Sequence, residues 1–175
     1  LASALCIFLL HRITNQALRP LIRVLMHNDS PEEMSEIKES RAAEKFVLLI
    51  WHMIASLVCY WLMKDYSWVP SYLGGPKDGA IVNGFVNMPF TPMATDCFIF
   101  GLILLGEPLQ ATFIHFFVDK RKKDFAEMSL HHIAHLSLGI GYLMANMIPI
   151  GTLIIFLHEF SDIGVSGAKA FDTIG

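Results

Sequence analysis

Histidines and acidic residues are concentrated in an apolar stretch near the C-terminal end of the chain, residues 128–164. They are His131, His132 and His135 in its first half and His158, Glu159 and Asp162 in its second half. An ionisable side chain is costly inside a membrane, so its presence there marks a functional site. A histidine held by a carboxylate can act as a base, or as a nucleophile towards an activated acyl group. The pattern therefore predicts a site that carries out this kind of chemistry.

The spacing of these residues predicts that the two halves of the stretch form one site. If the chain turns near Pro149, two antiparallel helices result, and at ~1.5 Å per residue His135 and Asp162 both lie roughly 20 Å from the turn. Residues three or four apart share a helix face, which describes the spacing within each half. His131 and His132 point about 100° apart. We therefore expect one of them to act directly and the other to orient or bind.

Metal binding is the alternative chemistry for this pattern. The spacing HHxxH is similar to the histidine boxes of membrane di-iron oxygenases, but those enzymes need more histidines, grouped in several boxes. The remaining histidines here are isolated in the sequence: His11, His27, His52 and His115. We interpret His52 and His115 as packed, hydrogen-bonded residues, and we predict no metal site.

The composition predicts an integral membrane protein. Of the 175 residues, 54% are hydrophobic and only 17% are charged, below the usual quarter for a soluble domain. The net charge of −3 and the lack of a basic stripe with interleaved aromatic residues argue against nucleic-acid binding. Three scattered cysteines, Cys6, Cys59 and Cys97, lack the spacing of a disulfide or metal motif, so we expect them to be buried.

Apolar runs and turn signals predict an all-α fold, a polytopic bundle of about five to six membrane helices in one domain, residues 1–175. The predicted segments are a clipped first span (1–10), a surface amphipathic helix (12–27), spans at 46–63, 94–118, 127–148 and 150–170, and a loop at 64–93. Pro108 is expected to kink the second complete span.

Lysine and arginine counts predict the orientation. Residues 12–45 hold six and residues 120–123 hold four, whereas the loop 64–93 holds two. The positive-inside rule places both basic regions on the cytosolic side, or on the matrix side in a mitochondrion. The cluster at 120–123 suits either a juxtamembrane anchor or a dock for an anionic headgroup or for cofactor phosphates. Its members are Lys120, Arg121, Lys122 and Lys123.

Residues 119–171 resemble the signature region of ceramide synthases within the TLC-domain membrane family. The chain reads DKRKKDFAEMSLHHI, then IPIGTL, then LHEFSD. The family pattern is roughly D-x-K-R-K-D-F-x-E-M-x-x-H-H-I, then R-I-G-T-L, then L-H-D-x-S-D. Upstream, EKFVLLIWH is similar to the family segment K-F-x-E-x-x-W-R. The order and spacing hold throughout, so the resemblance is specific.

The resemblance implies a helix bundle enclosing a lipid-accommodating cavity, and transfer of a fatty acyl group from acyl-CoA to the amine of a sphingoid base. The family's paired histidines fall on His131 and His132, and its two aspartates fall on Glu159 and Asp162. Acyl-CoA is then a co-substrate, and membrane lipids and a sphingoid base are the partners. The expected location is the endoplasmic reticulum, with the mitochondrial inner membrane as the alternative. The residues assigned to substrate binding are His135, His158, Asn146, Tyr142, Lys120, Arg121, Lys122 and Lys123.

Four positions depart from the family pattern: Leu48, His52, Pro149 and Glu159. Glu159 keeps the charge of the family aspartate, but its extra methylene moves the carboxylate by about an ångström, and displacements of that size impair catalysis. The alternative hypothesis is therefore a catalytically impaired TLC protein. Such a protein would bind lipid or pack as a structural subunit, with a second copy or other membrane proteins as partners.

Overall fold

A computed structural model of the chain describes residues 2–25, 32–88, 90, 92–117 and 125–174. The side chains of residues 25, 32–37, 127–128 and 173–174 lie outside this description. Six α-helices occupy most of the described residues, and no strand occurs among them. They are α1 (Ala2–Leu25), α2 (Glu32–Met63), α3 (Thr95–Leu104), α4 (Gly106–Phe117), α5 (Phe125–Met144) and α6 (Ile148–Ile174). The predicted all-α fold is confirmed.

Three helical segments in the described part of the chain are long and apolar enough to cross a membrane: Lys38–Met63, Thr95–Phe117 and Ile148–Asp172. In the most apolar 18-residue stretch of each segment, only 28%, 28% and 33%, respectively, is buried inside the protein. Most of each apolar surface therefore faces outward, as expected for helices in contact with lipid. The chain is an integral membrane protein. Helix α5 is not among the three segments, so the span at 127–148 stays a prediction.

Two predicted segments differ in detail from the structure. The segments at 1–10 and 12–27 are described as one continuous helix, α1, which contains Pro20. The span at 94–118 divides at Leu105 into α3 and α4. Because Pro108 has no N–H, the carbonyl of Leu104 loses the helical partner that a non-proline residue would supply. The expected irregularity is thus present, one turn before the proline.

The turn predicted near Pro149 is present between α5 and α6. Asn146 adopts a left-handed conformation with φ of 52°. The backbone N–H of Met147 donates to the carbonyl of Tyr142 at 2.9 Å. This hydrogen bond joins the sixth residue of the turn to the carbonyl of the first, which is the bond that ends a helix in the Schellman motif. Pro149 then occupies the first turn of α6, where a missing N–H costs no helical hydrogen bond.

The chain divides into two compact units, and α1, α2 and α6 contribute residues to both. The first unit comprises Leu1–Phe8 and Val58–Phe156. Its core contains Met63, Trp68, Val69, Ala94, Cys97, Ile148 and Leu153. Trp68 and Val69 come from the segment 64–93, which therefore packs into the core as well as connecting two helices. The Tyr66 hydroxyl fixes this segment by donating to Asp96 at 2.6 Å.

The second unit comprises Leu9–Leu57 and Leu157–Gly175. Its smaller core consists of Ile22, Ala42 and Ala43, with Leu18 and Phe46 packed against it. Arg23 on α1 makes two hydrogen bonds with the Glu39 carboxylate on α2, through Nε at 2.6 Å and Nη2 at 3.1 Å. The small alanines allow close approach of the helices, and the ion pair joins α1 to α2 beside them.

Candidate functional site

Four imidazole rings lie in series in the first unit, and we call them the histidine array: His115, His131, His132 and His135. The centroid of His132 lies 5.0 Å from that of His115 and 5.7 Å from that of His131. His131 and His135, one helical turn apart on α5, are separated by 6.1 Å. His131 is exposed, whereas the other three rings are half-buried. Helix α5 thus carries one exposed imidazole, His131, with other imidazole rings beside it.

His115 on α4 is anchored to the start of α5. Its Nε2 lies 3.0 Å from the Ser129 hydroxyl oxygen and 3.3 Å from the carbonyl oxygen of Phe125. The Ser129 hydroxyl donates its own proton to that carbonyl at 2.7 Å. Nε2 therefore faces two acceptors, and we assign its proton from this network, which leaves Nδ1 as the basic nitrogen when His115 is neutral. The ring also stacks on Phe125 with a centroid distance of 4.6 Å.

The acidic residues lie in the second unit, on α6. Asp162 Oδ2 is 3.3 Å from His158 Nε2, and the two side chains are 30% and 32% exposed. Glu159 Oε2 is 2.8 Å from His52 Nδ1 on α2, and both of these residues are buried. The two acids therefore differ in environment: Asp162 is partly exposed, whereas Glu159 is buried and hydrogen-bonded to a buried histidine.

The predicted site residues thus form two groups. The structure brings His131, His132 and His135 together in the first unit. It brings His158 and Asp162 together in the second unit, where Glu159 is paired with His52. The meeting of the histidines with the acids stays a prediction, as does each assigned role.

The residues assigned to substrate binding fall in different surroundings. Tyr142 packs against the core of the first unit, and its hydroxyl is buried with no hydrogen-bond partner among the described residues. Methyl groups added at Gly101 and Gly151 would both collide with its side chain, so close helix packing surrounds it. Asn146 provides the left-handed residue of the α5–α6 turn. The basic cluster of Lys120, Arg121, Lys122 and Lys123 lies outside the described residues.

Sequence reasoning separated His52 and His115 from the site, and the structure gives both a specific polar environment. His52 is buried and hydrogen-bonded, as expected. His115 is hydrogen-bonded as well, but it also joins the array through His132. A signal that α4 and α5 are neighbours was present, since only residues 118–124 separate the two helices in sequence. The pairing of His52 with Glu159 has no such local signal.

The array suits proton transfer and acyl chemistry. Neutral imidazole offers one basic nitrogen near neutral pH, and neighbouring rings hold its orientation. No group of three or more histidine, cysteine, aspartate or glutamate side chains is arranged to hold a metal within the part of the chain that the structure describes.

Comparison with known proteins finds one domain family and several curated relatives. The family described as TLC domain matches residues 41–175. Ceramide synthase 3 of Mus musculus is 42% identical over 57 residues, which is 33% of this chain and 15% of the relative. Ceramide synthase 5 of Homo sapiens is 32% identical over 83 residues, or 47% and 21% of the two chains. Ceramide synthase hyl-2 of Caenorhabditis elegans is 28% identical over 156 residues, or 86% and 44%.

The matches cover less than half the length of each of these three relatives. No solved structure matches the chain. The family match covers well over half of the chain and includes the histidines on α5 and the acids on α6.

Proposed function

Because the chain belongs to the TLC-domain family and its curated relatives include ceramide synthases, we propose that it transfers a fatty acyl group from acyl-CoA to the amine of a sphingoid base. The observation that carries the proposal is the histidine array. His131 and His132 match the paired histidines of the pattern that the sequence resembles, and their rings are neighbours on a helix that leaves His131 exposed.

In the proposed reaction a nitrogen–carbon bond forms and the thioester carbon–sulfur bond breaks. The amine lone pair attacks the acyl carbonyl, the amine loses a proton, and CoA leaves as the thiol after taking up a proton. A histidine of the array acts as the base, or is itself acylated first and then transfers the acyl group to the amine. Asp162, the accessible acid, would orient an imidazole and stabilise its positive charge.

The basic cluster at 120–123 directly precedes α5 in sequence. We expect its lysines and arginine to bind the CoA phosphates on the cytosolic side of the endoplasmic reticulum membrane. Four cations that directly precede an apolar helix in sequence offer the charge that phosphate groups require.

The test is synthesis of ceramide by the purified chain in lipid nanodiscs supplied with acyl-CoA and a sphingoid base. We expect product by mass spectrometry, and a fall in kcat of at least about 100-fold for His131→Ala or His132→Ala, the range lost when a general base is removed. Leu130→Ala is the matched control, since Leu130 is 70% exposed on the same helix. An inactive native protein, or full activity in both histidine variants, would overturn the proposal.

One observation favours the alternative of a lipid-binding or structural subunit. The Glu159 carboxylate is buried against His52, so one of the two acids at family aspartate positions is already engaged. A protein of this kind would bind the sphingoid base and acyl-CoA without turnover. Saturable binding of a fluorescent sphingoid base by nanodiscs that form no ceramide would support this alternative over the enzyme.

A further inference from the structure

The hydrogen bond between His52 and Glu159 joins two membrane helices through groups that are costly to bury. Nδ1 and Oε2 are 2.8 Å apart, and the residues are 8% and 7% exposed. A buried carboxylate must be hydrogen-bonded or paired, because its transfer from water is otherwise strongly unfavourable. Glu159 is therefore held by α2 and has little freedom to reach elsewhere.

The two partners are also two of the four positions at which the sequence departs from the pattern it resembles. Where that pattern has arginine, this chain has the shorter His52, and where it has aspartate, this chain has the longer Glu159. One side of the bond is shortened and the other is lengthened. The two changes meet in one contact although 107 residues separate them. Their geometry makes them a single, length-matched exchange.

Asp162 lies one turn further along α6 and keeps a different environment. Its side chain is 30% exposed, and its contact with His158 at 3.3 Å is longer than the bond made by Glu159. An acid that orients a reacting imidazole must be reachable by that imidazole. Of the two acids, Asp162 has the more exposed side chain and the longer contact with its histidine partner.

We propose that His52 and Glu159 form a positioning pair, which fixes α6 against α2, and that Asp162 alone supplies the carboxylate that acts in the proposed acyl transfer. The proposal rests on the proposed function. It divides the two acids by role: Glu159 sets the position of the helix turn that carries His158 and Asp162, and it does not contact the reacting atoms. The departures at His52 and Glu159 then leave the acyl-transfer chemistry intact.

The test is an exchange series in the full chain: native, His52→Arg, Glu159→Asp, the double variant His52→Arg/Glu159→Asp, and Asp162→Asn. Ceramide formation is measured in nanodiscs at a temperature below the unfolding midpoint of every variant. We expect each single exchange to lower kcat/KM by about 10-fold or more, because misplacement by about an ångström has effects of up to 10²-fold. The double variant should return to within about threefold of native.

Asp162→Asn serves as the contrast. We expect it to lower kcat at nearly unchanged KM, and no change at His52 should rescue it. The proposal is overturned if the double variant is no more active than the less active of the two single variants. It is also overturned if Glu159→Gln lowers kcat as much as Asp162→Asn does while its unfolding temperature equals that of the native protein.

Failure of the proposed function gives a different result. If the native protein forms no ceramide, acyl transfer is refuted and the division of roles falls with it. The exchange itself is then decided by unfolding temperatures in detergent. Recovery of the native midpoint by the double variant supports the length-matched pair, and additive losses refute it.

Discussion

Gly151 occupies a position at which one methyl group should disturb the junction of α5 and α6. A Cβ added there would overlap the ring of Tyr142 at Cγ and Cδ2 and would lie 2.8 Å from its Cβ. Rotation of the ring cannot relieve the contact with Cβ, which moves only with the backbone. The backbone is held by the hydrogen bond from Met147 to the Tyr142 carbonyl and by Pro149 in the first turn of α6.

The expected magnitude is the difference between two terms. Overpacking of a tight contact costs typically about 1–3 kcal/mol. Replacement of glycine by alanine inside a helix returns about 0.5–1 kcal/mol. Gly151→Ala should therefore lower the free energy of unfolding by roughly 1 kcal/mol, the difference between the centres of these two ranges.

Gly164→Ala provides the matched control on the same helix. A Cβ at Gly164 meets no described atom within 4 Å, so only the helix-propensity gain of about 0.5–1 kcal/mol should remain. The two variants should then differ by about 2 kcal/mol, or roughly 4–8 °C in unfolding midpoint for a chain of this size. Thermal unfolding in a single detergent measures both. Equal midpoints for Gly151→Ala and Gly164→Ala would refute the packing argument.

Two further predictions concern polar contacts outside the proposed reaction. Burial, followed by the hydrogen bond to Asp96, raises the pKa of Tyr66 above its ordinary value of 10.0. The stability contributed by neutral Tyr66 is complete below pH 10 and declines above it, because the tyrosine of the unfolded chain ionises first. Tyr66→Phe should therefore make the unfolding midpoint fall less steeply with pH above pH 10. A fall as steep as that of the native protein would contradict this prediction. Arg23→Ala should lower the free energy of unfolding by about 1–2 kcal/mol, because Glu39, with a side chain only 5% exposed, loses two hydrogen bonds. Arg23→Lys should recover part of this loss by keeping the charge, and equal unfolding midpoints for Arg23→Ala and Arg23→Lys would contradict that contribution of the charge.

Much of the helical architecture follows from local sequence. The runs that contain Lys38–Met63, Thr95–Phe117 and Ile148–Asp172 are apolar over a length that matches a bilayer, and such runs form helices because no water is present to bond the backbone. Pro108 and Pro149 likewise have local consequences, since each removes one backbone donor at a fixed place. The break at Leu105 and the start of α6 agree with this reasoning.

The segment 64–93 shows where local reasoning was insufficient. Its prolines, glycines and polar residues indicate turns, and turns indeed connect its two short 3-10 helices, Ser71–Leu73 and Ile81–Phe85. The same composition does not reveal that Trp68 and Val69 are core residues. Their burial depends on side chains from helices far away in sequence, which no local pattern encodes.

The sequence by itself determined the residue types, their spacing along each helix and the family to which they belong. His131, His132 and His135 share a helix, and helical spacing alone makes them neighbours. The partners of the acids were decided only by the tertiary structure. Hydrogen bonding between His52 and Glu159 depends on how α2 and α6 pack, because a bond across 107 residues leaves no periodic trace in the chain. Burial then makes that bond obligatory, since a carboxylate in an apolar interior needs a partner, and it separates Glu159 from the accessible Asp162 on the next turn.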